Sequence, residues 1–498
     1  MKKKGPPVDH EVNAGVNVSV GDMPPEEFRK YGHQLVDWVA DYLQNIERYP
    51  VLPNVLPGDV RRSLPASPPE DGETMDKILA DVDRLIIPGM THWNHPRFHA
   101  YFNSSASSPG ILAEFLSAAL NGNAMVWQSG PAVTELEEVT VDWLRQMLGL
   151  PADFWGMILD TASTSTLHAV VAARESLADL NMREQGLTGR KDIPRLRLYT
   201  SEFAHSSVEK AMMTLGLGLG SVCKIPVDEQ FRMRPDALAE AIARDRHSGM
   251  RPFCVVATVG TTSVTSIDPI PAIADICERE GLWLHVDAAY GGTAAIIPEM
   301  RSILAGCERA DSLVVNPHKW MFVPVDLSIL YTRRPKILRQ AFSLVPEYLR
   351  TAHDDVARNL MDYGVPLGRR FRALKLWFVL RYFGVNGLAN RLREHLRIAQ
   401  SFKSWIEADP EFELLAPVHF GAICFRAHPP GVDDENQLDS LNERLLNAVN
   451  ERRDMFLSHT KLGRTYALRM VIGHLRTEEV HAKKAWELIL QELKRLRV

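Results

Sequence analysis

The apolar positions of this chain change their period along its length. After Pro24-Pro25, the residues Phe28, Tyr31, Leu35, Trp38, Val39, Tyr42 and Ile46 recur at helical spacing, which predicts an amphipathic helix. A proline-rich stretch around Pro50 to Pro69 separates it from a second helix, with Ile78, Leu79, Val82, Leu85 and Ile86 facing inward and Pro88-Gly89 closing it. Such helices have no core of their own and must cover either the main domain or a partner subunit. From about residue 106 strand-like runs appear at 196–200, 253–259, 282–287 and 312–315, with helical stretches between the later ones. Thr134-Glu-Leu-Glu137 has the form of a capping box opening a helix that Gly149 ends. The alternation predicts an α/β protein with a mostly parallel sheet covered by helices on both faces. Beyond about residue 376, amphipathic helices and strand-like runs at 419–425 and 466–472 predict a smaller α+β domain. The expected organisation is an amino-terminal helical segment over 1–105, a large domain over 106–375 and a small carboxyl-terminal domain over 376–498.

Composition narrows the class only a little. A chain of 498 residues buries a sizeable core in more than one domain, and a formal charge of -5 argues against a general binder of nucleic acid or anionic membranes. Met1-Lys-Lys-Lys begins like the basic end of a signal peptide, yet no apolar segment follows, and no run approaches the roughly 20 apolar residues that span a bilayer. The cysteines (Cys223, Cys254, Cys277, Cys307, Cys424) are odd in number, scattered and without a Cys-x-x-Cys pair. A cytoplasmic protein with reduced thiols and no structural zinc is expected.

The candidate chemistry lies in two apolar runs that each hold a misplaced charge. Ser312-Leu-Val-Val-Asn-Pro-His-Lys319-Trp-Met-Phe-Val323 carries a lysine where an ammonium is hard to solvate, and Leu282-Trp-Leu-His-Val-Asp287 delivers a carboxylate at the end of a buried strand. Taken singly, Lys319 could snorkel to the surface and Asp287 could be a turn or helix cap. Together they suit a cofactor that bonds covalently to lysine and needs a carboxylate beside a pyridinium nitrogen, at the strand ends where such sheets bind ligands. Thr161-Ala-Ser-Thr-Ser-Thr166 places small hydroxyl residues before a good helix, which serves either as a plain cap or as a phosphate seat. Gly216-Leu-Gly-Leu-Gly220 lacks the Gly-x-Gly-x-x-Gly spacing of a nucleotide loop and is expected to be a turn.

The segments His205-Ser-Ser-Val-Glu209, His285-Val-Asp-Ala-Ala-Tyr290 and Asn316-Pro-His-Lys-Trp320 resemble the signature segments of the group II pyridoxal phosphate-dependent decarboxylases, in particular the aromatic-L-amino-acid decarboxylases. The resemblance runs from about Phe28 through Gly368-Arg-Arg-Phe371 and more weakly to the end. It implies the aspartate aminotransferase-like fold type I and pyridoxal 5'-phosphate carried on Lys319. It also implies Asp287 as partner of the ring nitrogen, His205 stacked on the ring, and Thr161, Ala162 and Ser163 at the phosphate. Thr262, Ala289, Asn316 and His318 line the cofactor by the same resemblance. Asp160 departs from the family's pattern, because a carboxylate beside a phosphate costs energy. Either it points away, or the phosphate is held differently.

The polar stretch after Phe342 reads as a lid loop. By resemblance its Tyr348 returns a proton to the α-carbon, with His205 as helper. Relatives with phenylalanine there tend to release an aldehyde, so Tyr348 and His205 favour simple decarboxylation. Trp93, Tyr101 and Phe102 resemble the family's aromatic substrate wall, which Met125 and Gly368 complete, and glycine at 368 leaves room for an indole. Core packing would explain the same aromatic residues. Asn103, Asn123 and Met125 differ from the residues usual in animal relatives. The implied substrates are aromatic amino acids, tryptophan-like first, with an acidic or small substrate as the alternative. An aldehyde synthase and a catalytically silent scaffold are the other readings. A homodimer with active sites at its interface is implied, without nucleic acid or membrane as partner.

Overall fold

The computed structural model describes residues 21–344 and 357–497, and Tyr348 lies outside them. The chain divides into the units Met1–His92 and Trp93–Val498. In the first unit the expected helix spans Pro25–Gln44, with proline at its first position where the missing N–H is harmless. Trp38 stacks on Tyr42 at 5.4 Å and its indole N–H donates to Asp83 (2.9 Å). None of the residues of this helix is buried, and Phe28 remains 54% exposed. The second expected helix is α-helical only over Met75–Asp81, then widens to a π-type turn over Val82–Ile86 before the Pro-Gly pair stops it. Ile78 and Ile86, expected to face inward, are exposed.

The second unit is built on two sheets. Its strands are β1 (Trp155–Leu159), β2 (Leu196–Ser201), β3 (Val222–Ile225), β4 (Arg251–Thr258), β5 (Trp283–Asp287), β6 (Ser312–Val315), β7 (Ser328–Thr332), β8 (Phe412–Leu414), β9 (Ala422–Ala427), β10 (Ser458–Leu462) and β11 (Thr465–Val471). A seven-stranded sheet runs in the order β1-β7-β6-β5-β4-β2-β3. Strands β3, β2, β4, β5 and β6 are parallel, and β7 lies antiparallel between β6 and β1. The central strand β5 is buried throughout, as a strand covered on both faces must be. A four-stranded antiparallel sheet, β10-β11-β9-β8, packs with the helices Glu435–Glu451 and Glu479–Leu496 around a second core that includes Phe402, Phe425 and Leu445. The mostly parallel sheet, the helical amino-terminal part and the small antiparallel sheet agree with the expected class. Gly216-Leu-Gly-Leu-Gly220 is the expected turn, with Gly216 and Gly218 in left-handed conformations.

One local expectation fails. The helix expected to open on a capping box at Thr134 begins at Pro131 instead, and the Thr134 N–H already donates to Gly130 O (2.9 Å). Proline at the first position starts the helix earlier, and this frees Glu137 for another task. Its carboxylate forms a buried ion pair with Arg369 and accepts from Ile158 N–H (2.8 Å), while Arg369 Nη2 donates to Ile158 O (3.0 Å). Substituting Glu137→Ala leaves a guanidinium buried without its counter-charge and is expected to cost about 3–5 kcal/mol by urea denaturation. A loss below about 1 kcal/mol would show that the pair is not fully desolvated.

Buried imidazoles add a pH dependence. Burial pushes His168, His285 and His318 down to about 4, and the Lys319 charge adds to the effect at His318. Their ordinary value is 6.5, so as pH falls the unfolded chain takes up these protons before the native one does. On their account stability is constant above about pH 6.5 and declines from there towards pH 4. A urea midpoint that stays level across that window would contradict the assignment.

Candidate active site

The carboxyl ends of the parallel strands gather the charged residues of both apolar runs. Register pairs Thr258 of β4 with Asp287 of β5, and Asp287 with Val314 of β6, so these strands end level with one another. Ala289 joins the two runs: its N–H donates to Asp287 Oδ1 (3.1 Å) and its carbonyl accepts from Asn316 N–H (3.0 Å). Pro317–Trp320 then makes a single helical turn that carries Lys319.

Lys319 Nζ lies 5.3 Å from the centre of the Phe102 ring. Burial pushes its ammonium below the ordinary lysine range; Asp287 opposes this and Arg469 adds to it. His205, in the turn before the helix Ser207–Thr214, feels the same charges. Burial lowers it, Asp287 pulls it up and Lys319 pushes it down. Its Nδ1 accepts from Ser207 N–H (3.1 Å), which leaves the proton of the neutral ring on Nε2. The structure therefore brings Lys319, Asp287 and His205 into one electrostatic group, together with a fourth member, Arg469, that the sequence reading did not pick out.

Arg469 is 4% exposed on β11; its Nε donates to Ser263 O (3.1 Å), and its guanidinium lies 4.8 Å from the Phe102 ring centre. Among the described residues its Nη2 has no hydrogen-bond partner, so a buried cationic donor stands beside Lys319 ready for an anion. The signal that would have found it is the one that found Lys319: a cation inside an apolar run, Tyr466-Ala-Leu-Arg469-Met-Val-Ile472.

Phe102 belongs to a row of flat rings. It stacks on Tyr290 at 3.8 Å, Tyr290 stacks on Trp320 at 4.9 Å, and the Trp320 indole N–H donates to His395 Nδ1 (3.0 Å). The row holds Trp320, next to Lys319 in the chain, and presents the Phe102 ring to the lysine amine. Its neighbour Tyr101 turns the other way, with backbone φ of 54°, into a separate cluster with Trp93, Phe98 and Phe456. A left-handed conformation at a bulky residue is costly and marks a constrained site. Asn103 is buried and donates to Phe98 O (2.6 Å), tying this turn together.

The other candidate residues occupy three places. Asn316 and His318 stand beside Lys319, and His318 Nδ1 accepts from Leu327 N–H (2.9 Å). Thr262 shares with His205 a cavity of about 830 Å³, also lined by Phe203, Phe231 and Lys461. Its neighbour Ser263 is held by Thr460, Cys424 and Arg469 of the small sheet. Met125 and Gly368 lie on a third pair of segments that bond to each other: Met361 N–H to Met125 O (3.1 Å), and Arg369 N–H to Asn123 Oδ1 (2.9 Å).

Thr161 precedes the helix Ala162–Glu175 in an extended conformation, and the first amide to bond within the helix is Ser165, to Thr161 O (3.0 Å). The N–H groups of Ala162, Ser163 and Thr164 are thus left for a ligand, the arrangement that suits a phosphate. Asp160 turns back to accept the Thr161 N–H (2.7 Å).

These features fit a covalently held pyridoxal phosphate. Among the described residues, Asn316 Oδ1, Thr258 Oγ1 and Ser201 Oγ are buried without a hydrogen-bond partner, all at or just beyond strand carboxyl ends. Orphaned polar atoms at the strand ends that carry Asp287 and lead to the half-buried Lys319 are what a polar ring-shaped ligand would satisfy.

Comparison with known proteins agrees. The pyridoxal-dependent decarboxylase conserved domain matches residues 57–428. A phenylacetaldehyde synthase of Arabidopsis thaliana is 40% identical over 480 residues, covering 94% of this chain and 96% of its own. An aromatic-L-amino-acid decarboxylase of Rattus norvegicus is 41% identical over 478 residues, covering 94% and 97%. The crystal structure of Oryza sativa TDC with PLP and tryptamine superposes with a TM-score of 0.92 at 36% identity, covering 96% of this chain and all of that one.

Proposed function

We propose that this chain, which belongs to the pyridoxal-dependent decarboxylase family, converts an aromatic L-amino acid, tryptophan foremost, to the arylalkylamine and carbon dioxide. The observation that carries the reading is the half-buried Lys319 beside Asp287, Arg469 and the Phe102 ring. Pyridoxal phosphate, bound there, supplies a covalent handle for the substrate amine and a sink for the electron pair left when the carboxylate departs.

The chain's own residues do the rest. Lys319 holds the cofactor and, once displaced, is a base of lowered pKa inside the site. Asp287 keeps a proton on the ring nitrogen by its charge. The amides of Ala162 and Ser163, with Thr161, take the phosphate, and Asn316, Ala289, Thr262 and His318 line the ring. His205 covers the ring face with its Nε2 proton available. Arg469 orients the substrate carboxylate with its free Nη2. Tyr348 returns a proton to the α-carbon, with His205 as helper. Phe102 meets the aromatic side chain, while Met125 and Gly368 close the pocket from a second copy of the chain; Trp93 and Tyr101, whose rings pack in the separate cluster with Phe98 and Phe456, are not assigned to it.

That second copy is part of the proposal. The helix Ser108–Leu120 leaves Leu112, Phe115, Leu116 and Leu120 exposed, and the Pro25–Gln44 helix buries nothing. Apolar faces of this kind favour a two-fold partner. The amino-terminal segment to residue 105 would lie on it, with the large domain to 375 and the small domain after it. Among the described residues no helix is long and apolar enough to cross a membrane. The unpaired, buried cysteines suit a reducing cytoplasm.

A second reading, oxidative release of an aldehyde, has the name of the Arabidopsis relative in its favour. Tyr348 and His205 argue for the amine. The test is turnover of tryptophan, tyrosine, phenylalanine, dihydroxyphenylalanine, glutamate and aspartate by purified protein with added cofactor, read by mass spectrometry. Amine from the aromatic acids is expected. Amine from the acidic acids alone would overturn the substrate assignment.

A further inference from the structure

His168 plays no part in the reaction described above, yet both of its ring nitrogens are committed. It is fully buried in the helix Ala162–Glu175. Nδ1 lies 2.7 Å from Thr164 O, which only accepts, so Nδ1 carries the proton. Nε2 is then the acceptor for Val365 N–H at 3.1 Å. The ring also lies against Phe342, with centres 4.7 Å apart. The chain passes so close that a Cβ on Gly364 would stand 2.7 Å from His168 Nε2. By contrast His285, equally buried, leaves Nε2 without a partner.

Both bonds lead to elements of the site. Thr164 sits in the first helical turn, beside the amides assigned to the phosphate. Val365 lies in a segment joined to residues 123–125 on both sides, through Met361 N–H to Met125 O (3.1 Å) and Ala124 N–H to Arg369 O (3.1 Å). We propose that His168 is a specificity-determining positioning residue: its ring ties the Met125 and Gly368 wall, which this chain lends to its partner's pocket, to the chain's own phosphate-taking helix, and so sets where that wall stands. This rests on the pocket assignment made above. A plain core residue would need no polar atoms here, and an aliphatic side chain of similar size would release the Val365 N–H from the helix and leave the exposed segment around it untethered. Displacements of about 1 Å at such a wall are enough to change turnover.

The test uses the holoenzyme with His168→Gln, His168→Asn and His168→Leu. Glutamine carries an acceptor out to the position of Nε2, whereas asparagine reaches only as far as Nδ1. The asparagine and leucine variants are expected to change the ratio of kcat/KM for tryptophan over phenylalanine by at least about five-fold, through KM, with bound cofactor and melting temperature near the parent's. Glutamine should restore the ratio to within about two-fold. Hydrogen exchange of the peptide containing Val365 should be faster in the asparagine and leucine variants than in the parent. An unchanged ratio, or an equal loss for both substrates accompanied by loss of cofactor, would overturn the proposal. So would unchanged exchange. If the parent turned over neither acid, the proposed function would fail, and exchange alone would decide whether His168 anchors the segment.

Discussion

Lys319→Ala is expected to lower kcat/KM for every aromatic substrate by about 10³- to 10⁴-fold or more, because it removes both a covalent anchor and a positioned base. The side chain lies in an apolar setting where burial favours the neutral amine, and only Asp287 opposes that loss of charge. A neutral amine is the nucleophilic form, so the burial that makes the residue costly to the fold also makes it reactive. Borohydride should fix the cofactor to Lys319 in the parent and to no residue in the variant. Fold and cofactor seat should survive, since the row of Phe102, Tyr290 and Trp320 is held by its own ring stacking and loses only the amine over the Phe102 ring. Retained turnover, or a reduced adduct on another lysine, would remove the assignment.

Asp287→Asn should lower kcat by about 10²- to 10³-fold with a smaller change in KM. The substitution keeps size and leaves Oδ1 to accept the Ala289 N–H, so the strand end need not move. What it removes is the charge that stabilises protons on its neighbours. Lys319 and His205 lose their upward pull and fall further below their ordinary values, and a ring nitrogen beside residue 287 is no longer held protonated. Cofactor should still bind and still be trapped by borohydride. A variant within about three-fold of the parent would mean that the carboxylate serves only as a turn cap.

The same physics explains what was legible from sequence. Buried parallel strands are continuous apolar runs, so β2, β4, β5 and β6 were recognisable within a residue or two at each end, and a charge inside such a run stands out. β1 was missed because Gly156 interrupts its pattern. That glycine is required, since a Cβ there would meet the Tyr331 ring at 2.7 Å. The hairpin strand β10 alternates between exposed and half-buried positions and carries too little apolar signal to be seen alone. The capping box at Thr134 misled because a four-residue pattern cannot reveal that Glu137 is claimed by Arg369, far away in sequence. Arg469 escaped for a different reason. Its run has the pattern of an ordinary strand, and a single cation within it does not alter that pattern. The partition of the adjacent Tyr101 and Phe102 into different ring clusters depends on a left-handed backbone turn that no spacing rule encodes.

Carbon dioxide should leave and a proton return to the same carbon in this site. L-Tryptophan labelled with ¹³C at the carboxyl carbon, supplied to the holoenzyme under air, tests it directly through simultaneous measurement of labelled carbon dioxide, tryptamine and hydrogen peroxide. Equal amounts of carbon dioxide and tryptamine with no peroxide are expected. Carbon dioxide accompanied by indole acetaldehyde and peroxide, or no labelled carbon dioxide at all, would contradict the account.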